Sequence, residues 1–205
     1  MSDFQRVVVR ATGEVLVQQG PREALRVEAK ARLLPVIVSE VRDGTLYLEF
    51  RAPQVDTAHP IRFHLTVKQL EALSSQASAD LRMGPLRSRA FILELAGSGT
   101  VDIAALEAER SRTRITGASN VAIRGGRVDA QTIEIEGSGD YAAGRLASRS
   151  TQVTIGGSGN VEVAAAERLT VDISGSGDVR YRGSPRVDAR ISGAGSVRRD
   201  DRPGE

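Results

Sequence analysis

The sequence predicts an all-β chain: a parallel β-helix, or solenoid, of about seven coils of 18–20 residues, with an N-terminal β-strand region as its cap. Three observations predict it. The first is a ladder of glycine corners: Gly97-Ser98-Gly99-Thr100, Gly117-Ala118-Ser119-Asn120, Gly137-Ser138-Gly139-Asp140, Gly157-Ser158-Gly159-Asn160, Gly175-Ser176-Gly177-Asp178 and Gly193-Ala194-Gly195-Ser196. Their first residues lie 20, 20, 20, 18 and 18 positions apart, and a degenerate copy, Ala77-Ser78-Ala79-Asp80, lies another 20 upstream. A fixed period of this length marks a stack of structural repeats. The second is that aliphatic residues recur at fixed offsets from each corner. The third is composition: three tyrosines, four phenylalanines and no tryptophan among 205 residues leave small and β-branched side chains to fill a narrow interior.

The N-terminal third reads as strands without a strict repeat. Val7-Val8-Val9 and Glu14-Val15-Leu16-Val17-Gln18 flank the turn-prone Ala11-Thr12-Gly13, and Leu25-Arg26-Val27-Glu28-Ala29 alternates as a half-buried strand does. Val36-Ile37-Val38 and Leu46-Tyr47-Leu48-Glu49-Phe50 are joined through Arg42-Asp43-Gly44. Asp-Gly between apolar runs predicts a hairpin, because a type I′ turn needs positive φ at both central residues. Residues 52–60, with two prolines, read as a loop, and Ile61 to Val67 alternates into the first corner.

The interior of the ladder is read from its columns. Leu95, Ile115, Ile135, Ile155, Ile173 and Ile191 stand two residues before a corner; Leu93, Thr113, Ile133, Val153, Val171 and Ala189 stand four before. Val101, Val121, Tyr141, Val161, Val179 and Val197 follow each corner's first residue by four, and Ile103, Ile123, Ala143, Val163, Tyr181 and Arg199 by six. Side chains two apart share one face of a strand, so stacked coils build apolar columns along the axis. The intervening columns face solvent. Glu94, Arg114 and Glu134 alternate in sign ahead of Thr154, Asp172 pairs with Arg190, and Glu162, Arg180 and Arg198 form a second outward column, predicting weak cross-rung pairs. The corner glycines are assigned to φ values that a Cβ resists, and the Asp or Asn that follows to an Asx turn. The shorter period after Gly157 predicts a narrower cross-section, two residues being lost between Gly144–Ser148 and its counterpart Ala164–Glu167. The charged end from Arg198 to Pro203 blunts the last open strand edge.

Several function classes are excluded. Net charge is only +2 with both signs interspersed, and few aromatics are present to stack on bases, so no nucleic-acid partner is expected. The absence of cysteine rules out disulfides, thiolate metal sites and thiol nucleophiles. No apolar run approaches the ~20 residues that span a bilayer. The column Asp80, Thr100, Asn120, Asp140, Asn160, Asp178 has the oxygen chemistry calcium favours. No corner, however, carries two acidic residues, and the period is not the nonapeptide of calcium β-rolls, so the column is read as structural and no metal is assigned. His59 and His64 lack a second His or Cys at ligand spacing. The Gly-Ser-Gly corners have no following lysine and helix to make them phosphate loops. Catalytic β-helices that act on glycans need paired carboxylates in one groove. The outward Asp102, Glu134 and Glu162 lie on different columns or full rungs apart, so no catalytic residue and no cofactor is assigned and the chain is read as a non-enzyme.

The run Phe4-Gln5-Arg6-Val7-Val8-Val9, the segment from Leu33-Leu34-Pro35 to Leu46-Tyr47-Leu48, and the Gly-Ser-Gly-Asp/Asn corners preceded by Ile-x-Ile resemble the bacterial autotransporter adhesin head (GIN) domain family over roughly residues 4–198. The resemblance implies a right-handed parallel β-helix exported beyond the cytoplasmic membrane, and it brings no catalytic residues. Members commonly begin with a signal peptide, sometimes of lipoprotein type. This chain starts Met1-Ser2-Asp3-Phe4, without a basic region followed by an apolar stretch. A periplasmic, outer-membrane-associated or extracellular location therefore supposes a leader already removed, and the composition alone also suits the cytoplasm. The expected organisation is residues 1–70 as a β region continuous with the solenoid, 71–199 as coils and 200–205 as a charged tail. The expected function is a non-catalytic envelope or surface interaction module that contacts a protein, a glycan or a copy of itself. The alternative is a glycan-binding or glycan-active β-helix.

Overall fold

A computed structural model describes residues 3–51 and 61–200; the proline-containing loop predicted at 52–60, with His59, and most of the charged tail lie outside them. Among the described residues the chain is all-β apart from one 3-10 turn, Leu34–Val36, and forms a β-solenoid of about six turns. That is one fewer than the roughly seven coils expected from the sequence. The strands are β1 (Arg6–Val9), β2 (Gly13–Gln19), β3 (Ala24–Glu28), β4 (Ile37–Arg42), β5 (Thr45–Phe50), β6 (Arg62–Val67), β7 (Ala72–Ser75), β8 (Ala79–Leu95), β9 (Thr100–Ile115), β10 (Asn120–Ile123), β11 (Gly126–Ile135), β12 (Tyr141–Ile155), β13 (Val161–Ile173), β14 (Val179–Arg182), β15 (Arg186–Ile191) and β16 (Val197–Arg199).

From β7 onward the rungs stack in chain order, each strand parallel to its neighbours. The inward columns are buried along this stack: Leu95, Ile115, Ile135, Ile155 and Ile173 on one side, Val101, Val121, Tyr141, Val161 and Val179 on the other. Burial ends at the final coil, where Val187 and Ile191 are 37% and 44% exposed. The change of period is absorbed where expected. Between β12 and β13 the register jumps from Ala143↔Val163 to Ala147↔Ala164, then from Ser148↔Ala165 to Ser150↔Arg168. β12 has three extra residues in the first step and β13 one in the second, a net loss of two per coil.

The N-terminal third departs from chain order. β1 is parallel to both β5 and β7, and β2 is parallel to both β6 and β8. Residues 6–19 thus form a rung inserted between the rung of β5 and β6 and that of β7 and β8. Its Ala11-Thr12-Gly13 bend is an eighth corner, with Gly13 opposite Ala79 and Glu14 opposite Asp80. Beyond β5 and β6, antiparallel β4 and β3 close the end. The connection from β3 to β4 crosses from one side of the solenoid to the other and buries Leu33 in the core. The β4–β5 hairpin has the predicted turn, with φ of 49° at Asp43 and 69° at Gly44.

The corner glycines need a different explanation from the one expected. Of those in the ladder only Gly99 has positive φ, at 142°. The others are excluded by close approach: a Cβ on Gly157 would lie 1.8 Å from the Gly137 carbonyl oxygen one rung below, and one on Gly139 1.9 Å from that of Ser119. Stacked corners are packed backbone on backbone.

Candidate functional site

The corner column does not make local Asx turns. Each acceptor side chain reaches the next rung: the backbone N–H of Thr100 donates to Asp80 Oδ1 at 2.9 Å, Asp140 to Asn120 Oδ1 at 2.9 Å, Asn160 to Asp140 Oδ1 at 2.7 Å, Asp178 to Asn160 Oδ1 at 3.1 Å and Ser196 to Asp178 Oδ1 at 2.8 Å. The hydroxyls of Thr100 and Ser196 add donations at 2.7 Å. These bonds hold the Asp80 and Asp178 carboxyls below the usual range, the hydroxyl bond contributing most and the backbone bond next. Thr100 lacks an acceptor of this reach, and there the N–H of Asn120 turns to the Gly99 carbonyl instead. These bonds use the Oδ1 of each acceptor, and no group of three metal-ligating side chains occurs among the described residues.

The three outward carboxylates weighed for catalysis are likewise engaged. Asp102 accepts from Arg124 Nε at 2.7 Å and from Arg124 Nη2. The guanidinium hydrogen bonds hold its carboxyl low, the opposite of what a general acid requires. Glu134 accepts from Arg112 at 2.8 Å, and Glu162 lies 3.6 Å from Arg180. Asp102 and Glu162 share one side but are three rungs apart, through Ala122 and Ala142. At the usual strand spacing that is about 14 Å, beyond the separation of either glycosidase geometry.

Cross-rung ion pairs form both directly in register, as between Arg87 and Glu107 at 2.8 Å and between Arg180 and Glu162 at 3.6 Å, and along diagonals. Glu94, Arg114 and Glu134 occupy one register position, yet Arg114 bonds Glu136 at 2.7 Å and Arg112 bonds Glu134 at 2.8 Å. Asp172 and Arg190 face each other in register without an ion pair among the described residues.

One concavity, smaller than the depression of about 720 Å³ lined by Phe4, Arg6, Pro21, Glu23 and Lys68, was not visible in the sequence. A depression of about 420 Å³ spans β6, β2, β8, β9 and β10. Leu16, Gly84 and Ala104 form an apolar floor, with His64, Arg82 and Arg124 at its rim. Glu14 lies 2.9 Å from both Arg62 and Arg82, and His64 Nε2 is 3.3 Å from Glu28 Oε2 without hydrogen-bond geometry. Of the rim cations, Arg82 pairs with Glu14 and Arg124 with Asp102. Six of its residues, Leu16, Val17, Gln18, His64, Leu65 and Thr66, come from the inserted rung and its neighbour. A column reading that starts at residue 77 cannot find them.

The fold and surface can now be set beside known proteins. The profile of the family described as "Putative auto-transporter adhesin, head GIN domain" matches residues 3–185. The chain belongs to this family. A crystal structure of an adhesin-named protein from Bacteroides fragilis superposes with a TM-score of 0.93 at 21% identity, over 97% of this chain and 93% of that one. Another adhesin-named protein, from Parabacteroides distasonis, gives 0.75 at 24% identity over 98% and 94%. A protein of the same organism named for lipid binding gives 0.75 at 21% identity over 98% and 94%. At these identities the likeness establishes the solenoid alone. No curated protein matches the chain. Among the described residues no helix is long and apolar enough to cross a membrane.

Proposed function

We propose that the protein is a non-catalytic interaction module of the bacterial cell envelope or surface, contacting a protein or glycan through the outward side built by β6, β2, β8, β9 and β10. The observation that carries this reading is the depression itself. An apolar floor of Leu16, Gly84 and Ala104 under an arginine rim is the form of a contact patch, while the nearby carboxylate Asp102 is locked in an ion pair. Membership of an adhesin-named family and the adhesin-named structural neighbours support an envelope or extracellular location. On this reading residues 1–70 and 71–199 act as one unit, which the single hydrogen-bonded sheet from β4 to β16 supports. On the same reading the corner residues Gly97 to Gly195, with Asp140, Asn160 and Asp178, serve architecture, which the bond that each Oδ1 accepts from the next rung supports.

The test is co-sedimentation of the purified chain with envelope fractions, compared with Gly84→Arg. A Cβ at Gly84 meets only the Val17 carbonyl oxygen at 3.8 Å, so the substitution fills the depression without disturbing the rung. The expected result is binding by the parent, about tenfold or greater loss in the variant as a central contact is blocked, and no turnover of glycans by either. Glycan cleavage, or equal binding by both, overturns the reading.

A further inference from the structure

The two ends of the solenoid differ. At the N-terminal end the connection between β3 and β4 crosses the opening, and Leu33 seals it. At the other end nothing crosses among the described residues. β15 pairs only with β13, and the corner after it bonds only to the rung below, through Ser192, Gly193 and Ala194. Val187, Ala189 and Ile191 continue the buried columns of Leu169, Val171 and Ile173 but stand exposed. An open strand edge above an open apolar column is a template for another strand.

Charge on such an edge normally prevents pairing, and β15 carries Arg186, Asp188 and Arg190 on its outward side. The signs are mixed, however, and their order is self-complementary in one register. When Ala189 lies opposite Ala189 of an antiparallel second copy, Asp188 faces the second copy's Arg190 and Arg190 its Asp188. Val187 then faces Ile191, inward side to inward side. A shift of one residue would set an inward side chain against an outward one. A shift of two places either Arg186 against Arg190 with Asp188 against itself, or Arg190 against itself. Neither Asp188 nor Arg190 has an ion-pair partner among the described residues, so both are available. We propose that the last coil is a homodimerisation edge, at which two copies join C-terminal end to C-terminal end by antiparallel pairing of β15 about Ala189. The symmetry is twofold and closed, because both open ends are consumed and the plugged ends face outward. This holds whether or not the depression binds envelope material.

Sedimentation of the purified chain over a concentration series, together with cross-linking, tests it. The chain has no cysteine, so Ala189→Cys introduces a single thiol. In the proposed register it faces its copy at about 4.5–5.5 Å between Cβ atoms, near enough for a disulfide after small adjustment. Ile92→Cys, exposed on another rung, is the control. The expected results are a monomer–dimer equilibrium without larger species, and oxidative dimers from Ala189→Cys but not from Ile92→Cys. Arg190→Asp should weaken dimerisation about tenfold by setting like charges opposite at two symmetric places, and adding Asp188→Arg should restore it. A chain that stays monomeric at its highest soluble concentration overturns the proposal. So does an open-ended series of oligomers, equal cross-linking of both thiols, or no recovery in the double variant.

Discussion

At Gly157 a methyl group would lie 1.8 Å from a backbone oxygen and 2.7 Å from a second, that of Glu136. Neither oxygen belongs to a flexible side chain, so the two rungs would have to part. Gly157→Ala should therefore cost about 2–3 kcal/mol, the range of serious overpacking, measured by chemical denaturation. Gly125→Ala is its counterpart: a Cβ there meets nothing within 4 Å, so stability should hold or rise by about 0.4–1 kcal/mol through the unfolded chain. If the two variants unfold alike, close approach is not what selects glycine. Two carboxylates of the corner stack, with Asp102 on the strand face, give a prediction in pH. The folded state holds Asp80, Asp178 and Asp102 below their ordinary values, so it binds fewer protons than the unfolded state in the acid range. Their contribution is complete above the unfolded value near 3.8 and is lost as pH falls through the lower folded values. Stability should decline on acidification below about pH 4, and Asp178→Asn should flatten that decline. A steeper acid limb in the variant would contradict the assignment.

At the scale of the element, the strands from β8 to β15 were legible because the same few offsets recur from every corner. A buried position such as Ile133 could be named without knowing where the strand lay. The rung of β1 and β2 was not legible as a rung, because its Ala11-Thr12-Gly13 corner lacks the Gly-Ser-Gly signature and its place in the stack is not its place in the chain. Nor could the columns reveal that a side chain would bond up the stack rather than within its own turn, since spacing fixes the column and not the rotamer. Inside the solenoid, polar groups bridge neighbouring strands. The Tyr141 hydroxyl donates to Gln131 Oε1 at 2.9 Å, Gln131 Nε2 donates to Thr151 Oγ1 at 3.2 Å, and the Ser148 hydroxyl lies 2.6 Å from that of Thr151. Burial pushes the Tyr141 phenol upward, so it stays protonated and a donor. Tyr141→Phe should leave Gln131 with a buried unsatisfied carbonyl and cost about 1–3 kcal/mol. A loss under about 0.5 kcal/mol in the denaturation midpoint would mean that the glutamine repacks or finds water.

For the whole molecule, the inserted rung sets both cooperativity and folding order. β1 and β2 cannot complete their pairing until β5, β6, β7 and the start of β8 are in place, because they bond on both sides. The stack from β8 to β13, by contrast, grows by neighbour contacts alone, as repeat proteins do. Residues 6–19 should therefore behave as a keystone that docks late and joins the β3–β6 end to the coils. A chain lacking residues 1–20 leaves a one-rung gap, about 4.8 Å tall, between edges that were each hydrogen-bonded to the missing strands. Closing the gap directly would set β5 on β7 and β6 on β8, but the connection spanning residues 68–71 was built for a rung between them. Hydrogen exchange on the truncated chain should show protection lost in β3 to β6 and kept in β9 to β13. Uniform protection across both regions would mean that the shorter stack closes on itself, and uniform loss that the coils cannot stand without their keystone.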